Sequence, residues 1–143
     1  MFTGGVVCVV LGGVVAAFTG PLDLAKGSWA AAYLVLVCGT ASCAIAAAQA
    51  RLIGRAIPAG PVRTQAATWA AGNAAVIVGT FTELPLVVDA GAALLVVALG
   101  IAFALTRGAA LGLALRAYRA ALIVLGVSIP IGMLLAHLRN GAV

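Results

Sequence analysis

Nearly all the charges of this 143-residue chain fall in the short gaps between five apolar runs, each close to the thickness of a bilayer. The runs are Gly4–Gly20, Ser28–Ala50, Thr64–Thr82, Pro85–Leu105 and Arg119–Leu138. A helix rises about 1.5 Å per residue, so roughly 20 apolar residues cross a hydrocarbon core. Lipid offers no hydrogen bonds, so the backbone of each run must satisfy itself, which a helix does. The expected fold class is all-α: an integral membrane helical bundle of about five transmembrane helices, forming a single domain over residues 1–143.

Composition supports that reading. Hydrophobic residues make up 65% of the chain and charged residues 8%, with a mean hydropathy of +1.26. A soluble domain carries about 25% charged residues, and no water-facing surface can be built from so few. The 18 glycines would each cost about 1 kcal/mol in a soluble helix. In lipid, small residues let helix backbones approach one another, so the glycines read as packing surface. The filler is mainly Ala and Gly, and Arg is favoured over Lys. That bias points to a GC-rich bacterial genome, and so to a bacterial cytoplasmic (inner) membrane.

The net charge of +5 does not make this a nucleic-acid protein. The basic residues sit at helix ends, with no interleaved aromatics and no reading motif. Arg51, Arg55 and Arg63 follow the second run, and Arg107, Arg116 and Arg119 follow the fourth. These six are candidate lipid-headgroup contacts, with snorkelling to the cytoplasmic surface as the simplest form. The acids fall at the opposite ends: Asp23 (beside Lys26) after the first run, and Glu83 and Asp89 around the start of the fourth. The positive-inside rule then places both Arg-rich loops and the N-terminus in the cytoplasm, and the C-terminus outside. The first run lacks a basic n-region and a convincing cleavage site, so it reads as a retained helix rather than a signal peptide. Trp29 and Tyr33 at the outer interface, and Trp69 and Tyr118 at the inner one, read as anchors.

Local signals set the helix ends. Gly20-Pro21 should end the first helix, and Gly27-Ser28 should cap the second. Gly54, Pro58, Gly60 and Pro61 make 51–63 the longest irregular loop. Pro85 fits the first position of the fourth helix. Residues 109–118 read either as an interfacial helix or as the inner extension of the last span.

Several constellations bear on function. Gly100, Ala104, Gly108 and Gly112 recur every four residues, as do Ala71, Ala75 and Gly79, and Ser128, Gly132 and Ala136. Such series predict ridges for close helix contact, within the bundle or against a partner. Asn73, Asp89, Thr40, Ser42 and Ser128 are the residues of a candidate polar path. Each also has a structural reading: Asn73 as a bond to a neighbouring helix, and Thr40 and Ser42 as bonds back to their own helix. Pro130 should kink the last helix, with Ser128 satisfying freed carbonyls. An ionisable group inside a membrane is a functional hypothesis by default, but Asp89 lies only about a turn from its helix start.

Catalytic chemistry has little to work with. There is one histidine, His137, and three cysteines without a CxxC or Cys/His cluster. No HExxH, carboxylate pair or phosphate loop is present. We therefore expect no enzyme activity, no cofactor and no metal site. The expected partners are membrane lipids and either other membrane subunits or further copies of the chain. Two function classes remain. One is a non-catalytic membrane component or accessory subunit that packs against other helices. The other is a small oligomeric carrier or channel for a solute or ion.

Overall fold

The computed structural model describes residues 1–53 and 59–140, with side chains for 1–53 and 59–134. These residues form five helices: α1 Phe2–Thr19, α2 Gly27–Leu52, α3 Ala59–Phe81, α4 Pro85–Leu105 and α5 Leu113–Asn140. Among the described residues there is no strand. The chain divides into two compact units, Met1–Arg51 and Leu52–Val143. Four helices are long and apolar enough to cross a membrane: α1, α2, α4 and α5. α3 is long enough at 23 residues but less apolar, because Gln65, Thr68 and Asn73 interrupt it.

In the first unit α1 and α2 form an antiparallel hairpin. Contacts pair Gly5 with Gly39, Gly12 with Val35, and Thr19 with Gly27. Each pair brings backbone against backbone or against a β-branched side chain. A Cβ on Gly5 would stand 2.8 Å from the Gly39 carbonyl oxygen, and one on Gly39 2.5 Å from Val9 Cγ2. The middle of α2, Leu34–Ala41, is π-helical. In an α-helix, residues four apart drift by about 40° per step. The wider turn reduces that drift, so that Ala31, Val35, Gly39 and Cys43 all reach α1. Thr40 Oγ1 donates to the Val35 carbonyl five residues back, following the wider turn. Cys43 Sγ also donates to the Phe2 carbonyl, at 3.5 Å.

α1 ends at Thr19 with Gly20 as its C-cap, as the Gly20-Pro21 pair predicts, but the cap is not a left-handed glycine. Gly20 keeps a right-handed conformation (φ −69°), and the left-handed residue is Asp23 (φ 48°). The Leu24 N–H donates to the Thr19 carbonyl and the Asp23 N–H to the Gly20 carbonyl, which is Schellman closure one turn beyond the glycine. Ser28 does not cap α2. The helix starts one residue earlier, at Gly27, whose missing Cβ makes room for Thr19.

In the second unit α3 and α4 form another antiparallel hairpin. A Cβ on Gly72 would lie 2.9 Å from the Gly91 carbonyl oxygen, and one on Gly91 2.8 Å from the Gly72 oxygen. Gly79 meets Val88 N at 2.8 Å by the same measure. The turn between them is as expected: Pro85 takes the first position of α4. Glu83 is left-handed (φ 57°), and the Leu84 N–H closes on the Gly79 carbonyl. α3 begins earlier than its apolar run, because Gly60 and Pro61 fall in its first turn, where an unpaired N–H costs nothing. Gly54, Arg55 and Pro58 lie outside the described residues.

α5 settles the ambiguous stretch, since residues 113–118 are its first turns. Leu115, Tyr118 and Leu122, at helical spacing, are its buried stripe. Among the described residues, two of the expected ridges make no contact within their own unit. Gly100 and Gly132 have nothing within 4 Å of a Cβ position, and the Gly100 series leaves the helix after Leu105. Gly108 instead takes a left-handed turn (φ 83°).

Two outcomes follow. Gly91→Val should lower stability by about 1–3 kcal/mol, because backbone atoms cannot yield to the new side chain. Gly100→Ala should stay within about 0.5 kcal/mol of the parent. Reversible SDS titration in mixed micelles measures both. At the first turn, Asp23→Val should cost about 1–2 kcal/mol in the same titration, since a β-branched residue resists the left-handed region. Asp23→Gly should be neutral or stabilising.

Candidate functional site: a basic cap on an apolar groove

The polar centre of the second unit lies where α4 ends and α5 begins. Thr106 follows the last residue of α4 and has no solvent exposure. Its Oγ1 donates to the Phe103 carbonyl (2.7 Å) and accepts from Arg119 Nε (3.2 Å). Arg119 Nη2 donates to the Thr106 carbonyl (2.9 Å), and its guanidinium lies 5.1 Å from the centre of the Phe103 ring. A cation at a helix C-terminus meets the negative end of the dipole and pairs carbonyls that the helix leaves open. Arg119 is thus half-buried and held in place, whereas Arg107 and Arg116 are exposed.

Below this cap an apolar groove of about 280 Å³ runs between α4 and α5. Val96, Leu99, Gly100 and Phe103 line one wall, and Leu122, Ile123, Gly126 and Val127 the other. It exists because the positions where Gly100 and Gly126 would carry a Cβ are open.

The other arginines divide by end. In the second unit Arg63 opens α3, at the end where α4 finishes, while Glu83 occupies the opposite turn. In the first unit Arg51 lies at the Met1 end of the hairpin, and Asp23 and Lys26 at the other. Arg51 and Arg63 are exposed.

The residues of the candidate polar path have separate settings. Thr40 is exposed and bonded to its own helix. Ser42 is buried in the same hairpin. Asn73 is buried in α3, and its Nδ2 donates to the Trp69 carbonyl one turn back (2.8 Å). Asp89 is half-buried on α4. Ser128 is exposed, and its hydroxyl donates to the Leu125 carbonyl (2.8 Å), just ahead of Pro130. The side chain of His137 lies outside those described.

Two residues escape sequence reading. Gln65 is 1% exposed, deep inside α3, and Thr106 is fully enclosed. Gln65 stands four residues before Trp69 and eight before Asn73, a polar helical stripe visible in the sequence. Thr106 carries no such signal, because its role depends on a residue thirteen positions away.

All three cysteines are free thiols, and among the described residues no three His, Cys, Asp or Glu side chains group to hold a metal ion. No protein-family model, curated protein or solved structure matches this chain.

Thr106→Val should cost about 1 kcal/mol, and Arg119→Ala about 1.5–3 kcal/mol, as hydrogen bonds to a charged donor are lost. The double variant should lose less than the sum, because the two residues share their bonds. Arg119→Lys should fall between Arg119→Ala and the parent, since an ammonium cannot reproduce the fork. Equilibrium unfolding of the four proteins in one detergent supplies the cycle.

Proposed function

We propose that this chain is a non-catalytic component of a membrane, with all five helices spanning, that packs its exposed apolar helix faces against other membrane subunits or further copies. The observation that carries the reading is how its polar groups are used. Thr19, Thr40, Thr64, Thr80, Thr82, Thr106 and Ser128 hydroxyls all donate to carbonyls of their own helix or turn. Asn73 does the same with its amide. Groups committed in this way stabilise helices in lipid and leave little to coordinate a moving solute. Meanwhile α1 turns Val6, Val7, Val10, Val14 and Phe18 outward, and α5 does so with Ile123, Val124, Val127, Ile131 and Leu134.

The segregation of charge within each hairpin supports an orientation. The ends carrying Arg51, Arg63, Arg107, Arg116 and Arg119 face the cytoplasm, which puts the N-terminus inside and the C-terminus outside. α3 crosses with its two amide side chains, Gln65 and Asn73, buried. The compositional bias toward Arg, Ala and Gly supports a bacterial cytoplasmic membrane as the setting.

Two experiments test this. Mild-detergent purification of the tagged chain from its native membrane should recover a stoichiometric membrane partner or a homo-oligomer. A lone monomer would overturn the component reading, and a solute flux abolished by Asp89→Asn in folded protein would replace it with the carrier. For orientation, single cysteines at positions 51 and 110, in a background without the native thiols, should both label only after vesicles of right-side-out orientation are opened. Labelling of either one from outside would reverse the assignment.

A further inference from the structure

We infer that the α4–α5 groove is a binding site for one anionic phospholipid, with its headgroup at Arg116 and Arg119 and an acyl chain lying between the two helices. The inference rests on the membrane setting proposed above but not on any partner. Four observations meet at this place.

The first is register. On α5, Arg116, Arg119, Ile123, Gly126 and Val127 fall at i, i+3, i+7, i+10 and i+11, which is one face of a helix. The two arginines therefore stand on the same strip of α5 as the groove wall. On α4 the wall of Val96, Leu99, Gly100 and Phe103 points toward the same end, where Arg107 follows in the turn.

The second is length. Arg119 to Val127 is eight residues, about 12 Å along the helix axis. One leaflet of a bilayer is about 15 Å of hydrocarbon. The groove is thus matched to one leaflet, with its charged end at the headgroup and its apolar end near the midplane.

The third is charge. Arg107, Arg116 and Arg119 gather at one end of a groove whose walls are otherwise apolar. The positive end of the α5 dipole offsets the negative end of α4 at this place, so the arginines set the sign of the field. No acidic residue lies between Asp89 and the end of the chain. An anionic headgroup is the complement of that end, and a hydrocarbon chain is the complement of the walls.

The fourth is preorganisation. Arg119 has five N–H donors and directs two groups, Nε and Nη2, at Thr106. Those bonds and the Phe103 ring fix the plane of the guanidinium, which leaves its other donors for a phosphate without the usual cost of ordering a long side chain.

Native mass spectrometry of the purified full-length chain tests the site, with dioleoyl phosphatidylglycerol and dioleoyl phosphatidylcholine titrated in the same detergent. The anionic lipid should be retained as a single copy and more tightly than the zwitterionic one, by about fivefold for each arginine engaged. Arg116→Gln should reduce that preference by about fivefold. Gly126→Leu should abolish retention of both lipids without loss of thermal stability, because nothing lies within 4 Å of the position its Cβ takes. Equal retention of the two lipids, or parent-like binding by Gly126→Leu, would overturn the proposal. So would a homodimer that holds no lipid and dissociates on Gly126→Leu, which would make the groove a contact between copies. The component reading fails separately, by purification from native membranes without a partner.

Discussion

The approach of backbones at glycine is the contact on which both hairpins depend. Apolar side chains gain nothing by leaving lipid for one another, so helices in a bilayer are held by van der Waals fit and polar contacts. A fit of that kind requires close approach, and close approach requires that no Cβ intervene. Gly5 against Gly39, and Gly72 against Gly91, bring backbone against backbone in their units. On α1 and α3 a second glycine follows seven residues later, Gly12 and Gly79, and meets Val35 and Val88. Each hairpin then turns through a left-handed acidic residue, Asp23 or Glu83, with Schellman-type closure. Two stretches with no detectable sequence repeat thus use the same physical device.

The seven-residue interval explains which ridges the sequence revealed and which it did not. A seam between two nearly antiparallel helices returns about every 3.5 residues, so contacts recur at seven. A series at four drifts about 40° per step and leaves the seam within two turns. Ala71 is accordingly exposed and Ala75 half-buried, while Gly72 and Gly79 carry the contact. Gly100 belongs to no helix crossing and opens the groove instead. Counting small residues at i, i+4 could not separate these roles, because Ala and Gly are so frequent in this chain.

Helix extents were legible where covalent chemistry marks them. Pro85 set the start of α4, and the apolar run ended where the helix does, at Leu105. The ends of α3 and α5 were less legible. Apolarity reports the depth at which lipid begins, whereas hydrogen bonding continues the helix into the interface. Residues 113–118 look irregular if Leu111, Leu113 and Leu115 are weighed as an alternation. The stripe that matters is Leu115, Tyr118 and Leu122, which buries one face of α5. The π-helical turn of α2 had no local signal in the sequence.

Arg119 shows why the site was half legible. Its charge and its place at the membrane edge are plain in the sequence, and both point to headgroups. Its fixed posture is not, since that depends on Thr106 and Phe103, brought within reach only when α5 folds back along α4. The two roles support each other. The carbonyl end of α4 needs a cation, and the guanidinium held there by Nε and Nη2 also lies against Phe103, which lines the groove. A freely snorkelling lysine would supply the same charge with no direction. The same side chain therefore terminates a helix and fixes where the positive end of an otherwise apolar groove must lie.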